Sequence, residues 1–233
     1  MYKVFPSYYN TTSIMKRHYF FFELLLFFSV FLGFILPSIL NNHPDGFSCW
    51  TFPFAALFYF ICSILVCLSE SSFGAKKLNF NKIYKKELGI SILTLILLFL
   101  ISFLLQTAAY FANFENIDQK PVFPQNAKET FFCIITFFCA ASFEELIFRY
   151  YVPAAGCNML KSFLPEKTCE LISECTAAVL FALCHRYLGF FAVLNALFAH
   201  FALRYCLKKT DSILCSESVH FVYNIISLVI IVH

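Results

Sequence analysis

Runs of about 20 apolar residues, the length a helix needs to cross the hydrocarbon layer of a bilayer, recur along this chain and limit its fold more than any other feature. Seven are read, at residues 19–40, 49–68, 88–112, 129–153 with an apolar continuation, 169–185, 190–207 and 213–232. Composition agrees: the 233 residues are 60% hydrophobic and 13% charged, against about 45–50% and 25% in soluble proteins. A water-soluble domain of 26.9 kDa could not hide 33 phenylalanines in a single core. The expected fold class is all-α, a polytopic transmembrane helical bundle of about seven spans.

The first run follows Lys16 and Arg17 as a signal peptide would. It is too long for one, and Pro37, Asn41 and Asn42 make a poor cleavage site, so an uncleaved span is expected. Basic residues collect in the N-terminal tail (Lys3, Lys16, Arg17), between the second and third runs (Lys76, Lys77, Lys82, Lys85, Lys86), and at Lys161, Lys167, Lys208 and Lys209. These positions share one side of the expected bundle, which makes that side and the N-terminus cytoplasmic by the positive-inside rule. The expected organisation is a cytoplasmic tail at residues 1–18, three accessory transmembrane helices with their loops at 19–126, and a four-helix core at 127–233. A net charge of +3 is too small to imply a nucleic-acid partner; the lipid bilayer is the expected one. Most of the eleven cysteines fall inside apolar runs and no C-x-x-C pair occurs, so they are read as small hydrophobes.

Ionisable side chains inside a span are costly unless they face the bundle interior, which makes them functional candidates. Here they concentrate in the second half of the chain: Glu144, Glu145, Arg149, Glu174, His185, His200, Arg204, Glu217 and His220. Glu145 and Arg149 are four apart, on one helix face, where a salt bridge offsets their burial. Glu144 is about 100° around the same helix and has no cation on it, which leaves this acid free to accept and return a proton. If its span ends near Lys161, Glu144 lies mid-membrane, at a depth comparable to His185; His220 then falls roughly two helical turns out of register. Phe181 shares a face with His185, as His220 does with Asn224. Glu and His together can deprotonate a water, and His with Asn can donate to an oxyanion. Equally, Glu144, His185 and His220 can bind one divalent metal such as zinc with a position left open.

Three stretches carry a resemblance. Glu144-Glu145-Leu146-Ile147-Phe148-Arg149, Phe181-Ala182-Leu183-Cys184-His185 and His220-Phe221-Val222-Tyr223-Asn224 resemble the E-E-x-x-x-R, F-x-x-x-H and H-x-x-x-N motifs of the CPBP intramembrane proteases. That family includes the type II CAAX prenyl endopeptidases and the bacteriocin self-immunity (Abi) proteins. The resemblance covers residues from about 130 to the C-terminus and implies a protease core at 127–233. By it, Glu144 would activate the hydrolytic water with help from His185, His220 and Asn224 would stabilise the oxyanion, and Glu145, Arg149 and Phe181 would support them. Both a metal-dependent and a metal-free, glutamate-dependent route are argued for the family, so both stay open. The implied partner is a protein or peptide substrate at the membrane.

The chain departs from the family pattern at Tyr150, where a glycine is common, and in the sixth run, where Asn195, His200 and Arg204 replace small residues. The usual Thr-Gly-Ser turn reads Thr210-Asp211-Ser212. His200, Arg204, Glu174 and Glu217 match no motif and are taken as packing or interface groups. Two other functions compete: a catalytically silent membrane binding or bacteriocin-immunity protein, and a proton-coupled transporter, the latter disfavoured by the lack of internal repeats.

Overall fold

A computed structural model describes residues 53–68, 85–112 and 124–231. The expected first span, at 19–40, lies outside the described residues. Those described form α1 (Pro53–Leu68), α2 (Lys85–Phe111), α3 (Ala127–Glu144), a π-helical turn (Glu145–Tyr151), α4 (Val152–Leu160), α5 (Glu166–Cys184), a 3₁₀ turn (Arg186–Leu188), α6 (Phe190–Thr210) and α7 (Ile213–Ile231), with no strand among them.

Among the described residues, four stretches are long and apolar enough to cross a membrane: Lys86–Phe111, Ala127–Leu160, Phe190–Thr210 and Ile213–Ile230. The described part of α1 is only 16 residues long, and α5 carries Glu166, Lys167, Glu170 and Glu174. The all-helical class therefore holds, while the count of about seven spans rests on the sequence alone.

The sequence explains where the helices start and stop. Asn126 caps α3 by accepting from the Glu129 N–H at 3.0 Å, and the Glu129 carboxylate returns to the Asn126 amide and, at 2.6 Å, to the Gln125 N–H. This reciprocal cap satisfies N–H groups that have no partner within a helix, and it starts the helix two residues before the expected 129. Gly189 enters α6 with φ 99°, open to glycine at little cost. Asp211 ends α6 with φ 50°, a left-handed conformation that is costly for a residue with a Cβ.

The helix through the glutamates is continuous for 34 residues, Ala127–Leu160, or about 50 Å, longer than the bilayer core is thick. Its hydrogen-bond pattern loosens just before Pro153 in the π turn, where the Val152 N–H reaches back five residues to the Ile147 carbonyl. Kinks in long helices usually fall at a proline or a π turn. α5 then folds back along α4 at a close approach, since a Cβ on Gly156 would meet Ser173 Oγ at 3.0 Å.

The π turn occupies the centre of the bundle, touching α1, α5, α6 and α7. One apolar cluster surrounds it, built from Phe143, Ile147, Phe148, Phe181 and Ala196. A second lies between α2, α6 and α7, where Leu98 meets Leu203, Cys206, Cys215 and Val219. No disulfide joins the cysteines whose side chains are described.

Candidate active site

The two adjacent glutamates close α3 and open the π turn, so they face different surroundings. Glu145 is wholly buried. Its Oε1 lies 3.4 Å from Arg149 Nε, with both side chains 0% exposed, which is the ion pair the sequence predicts. A buried pair of this kind adds little net stability over an apolar pair but is expensive to break. Arg149 also donates from Nη1 to the Glu144 carbonyl at 3.4 Å, and its guanidinium carbon stands 3.7 Å from the centroid of the Phe181 ring, a cation–π contact sealed from water.

His220 is where the structure departs from the sequence expectation. The predicted mismatch of two turns is absent: His220 Nδ1 lies 2.9 Å from Glu145 Oε1 and Nε2 lies 3.4 Å from Glu144 Oε2. The mismatch assumed that every helix begins at the membrane surface. Packing of α7 against the π turn, with Thr210, Ser212 and Ile213 of the α6–α7 turn buried in the protein, brings His220 level with both acids.

These contacts fix the histidines' orientation. Glu145, paired with Arg149, is acceptor-only, so His220 Nδ1–H donates to it and Nε2 is presented to Glu144. His185 sits just past the end of α5, and its Nδ1 lies 2.9 Å from the Phe181 carbonyl. A carbonyl only accepts, so here too Nδ1 carries the proton and Nε2 is left for other work. The His185 ring lies 4.7 Å from the Phe181 ring, and Glu144, His220 and Arg149 are the charged groups that face it. Phe181 is thus the shared wall of the site, flanked by Arg149 and both histidines.

Exposure separates the groups. Glu144 is 21% exposed against 7% for His220 and 0% for Glu145, so Glu144 is the carboxylate a reactant can reach. Of the predicted residues, Glu144, Glu145, Arg149, Phe181 and His220 are joined by direct contacts, and His185 is joined through Phe181. Asn224 lies one turn beyond His220 on α7, half-buried. Among the described residues, no three His, Cys, Asp or Glu side chains are grouped to hold a metal ion.

The ionisable residues outside the motifs also have places. Arg204 binds Glu174 through two nitrogens at 2.7–2.9 Å and Lys208 joins at 2.7 Å, tying α5 to α6 as an interface role predicts. Glu217 accepts from the Ser142 hydroxyl, tying α7 to α3. The sequence reading missed this link and the π turn.

Residues 126–226 match the family model Rce1-like, described as "Type II CAAX prenyl endopeptidase Rce1-like". This is a branch of the family that the three motifs resemble, and all three lie within the matched region. The match supports a CAAX-type protease, and with four helices able to cross a membrane it points to an integral membrane protein acting on a peptide or protein. No curated protein and no solved structure matches the chain.

Proposed function

We propose that the chain is an intramembrane endopeptidase that hydrolyses a peptide bond of a membrane-associated protein or peptide, with residues 127–233 as its catalytic core, residues 19–126 as accessory spans and the N-terminus in the cytoplasm. The observation that carries this reading is the division of labour around His220: one glutamate sealed and ion-paired, the other open, and one imidazole between them. The family match over residues 126–226 favours hydrolysis over a transporter or a silent binding protein.

In the mechanism, a water at the open side of Glu144 loses a proton as its oxygen attacks the scissile carbonyl carbon. The proton passes to the Glu144–His220 pair, with His185 Nε2 as the second acceptor facing the water. Once protonated, His220 carries a positive charge that ionised Glu145 stabilises, in the way a buried carboxylate supports a catalytic histidine. The Asn224 amide, one turn along α7, is the donor for the oxyanion. Collapse of the tetrahedral intermediate breaks the C–N bond, and the stored proton leaves on the amine. Arg149 and Phe181 touch no reacting atom and hold Glu145 in place.

The family match favours a prenylated C-terminal peptide as the first substrate to try. The test uses the full chain in proteoliposomes with a prenylated CAAX peptide and its unprenylated counterpart. Glu144→Gln keeps the shape and removes the base, and is expected to lower cleavage by about 10²–10⁴-fold at equal membrane levels. A fully active Glu144→Gln protein would sink the mechanism. Repeating the assay with a chelator separates a bare water from one bound to a metal.

A further inference from the structure

His200, on α6, belongs to no motif, yet the fold encloses it completely. It is 0% exposed, and neither ring nitrogen has a hydrogen-bond partner among the described residues. A phenyl ring would fill the same space without that cost, since buried polar atoms are almost always bonded to protein or to ordered water. A second group nearby is in the same position. Nη2 of Arg149 is also buried without a partner among the described residues.

Both groups neighbour one ring. Arg149 Cζ lies 3.7 Å and the His200 ring 6.0 Å from the Phe181 centroid, and the charged groups facing His200 are Arg149, Glu145, Glu174 and Arg204. The chemistry is complementary: a guanidinium only donates, while a neutral imidazole offers one acceptor and one donor. An internal water between such groups can satisfy both, as buried waters commonly do. We propose that His200 is a positioning residue of the site, accepting a hydrogen bond from Arg149 Nη2 through a buried water and so holding the guanidinium between Phe181 and Glu145. Glu145 in turn orients His220, so His200 acts on the reacting groups only through Arg149.

The significance of this role rests on the hydrolytic reading, but its test does not. The full chain, labelled with ¹⁵N-histidine in nanodiscs, is compared with His200→Phe and His200→Gln. In the unsubstituted protein, His200 should show a hydrogen-bonded ring nitrogen. His200→Phe should move the His220 ring resonances and lower the thermal midpoint by about 2–4 °C, and His200→Gln, which keeps a donor and an acceptor, should return the His220 signals toward their original positions. Unbonded His200 nitrogens in the unsubstituted protein, or a His200→Phe protein of full stability with unmoved His220 signals, would overturn the proposal. If His200→Phe does not accumulate, the unsubstituted spectrum alone decides. None of these readouts involves cleavage, so failure here and failure of the Glu144→Gln test are separable.

Discussion

Two glutamates joined by one peptide bond meet opposite surroundings in this fold. Glu145 is enclosed with Arg149 and His220, and Glu144 keeps an open side. Their substitutions should therefore fail differently. Glu145→Gln leaves Arg149 buried without its counter-charge, which is expected to cost about 3–5 kcal/mol; a thermal melt in detergent, with membrane abundance, should show it. Glu144→Gln should melt close to the unsubstituted protein, so its loss of cleavage can be read as chemistry. The sequence made the Glu145–Arg149 pair legible because four-residue spacing is a local rule. It could not place His220, because its level against the glutamates depends on tertiary packing, and it marked His200 only as a departure from the small residues of the family's sixth run, without a role.

Helix type and approximate extent followed from apolar run length, and six of the seven expected runs contain a described helix. The departures come where local chemistry is subtler than hydropathy: the reciprocal Asn126–Glu129 cap, which moves the start of α3, and the π turn, which no composition rule signals. Asp211 is the informative end. It occupies the position of the glycine in the family's Thr-Gly-Ser turn, and its φ of 50° explains why a glycine suits that place. Asp211→Gly should be neutral or stabilising, while Asp211→Val should lose about 1–2 kcal/mol, ranked by thermal unfolding. A glycine variant less stable than the valine variant would mean that the aspartate side chain, not the backbone, holds the turn.

The molecule as a whole is less modular than the sequence suggests. The motifs all lie in α3 and beyond, yet the core does not stop there. Leu98 of α2, 1% exposed, packs into the α6–α7 cluster, and Tyr59 of α1 stacks on Phe143 with centroids 5.3 Å apart. Leu98→Ala should therefore destabilise the protein by about 2–5 kcal/mol although it lies outside the matched residues 126–226. An unchanged melt would make α2 a dispensable neighbour. If the expected loss is found, the accessory spans are part of the scaffold that brings α6 and α7, and with them His220, against the glutamates.

The unequal exposure of the two acids also has a use as a chemical probe. A hydrophobic carbodiimide reaches carboxyl groups from the lipid phase and marks those it can touch. It should add its mass to Glu144 while sparing Glu145, which is 0% exposed, and a prenylated peptide held at the site should slow the labelling. Peptide mapping of the modified protein would then locate the mouth of the site, and equal labelling of both residues would show that the inner glutamate is not sealed.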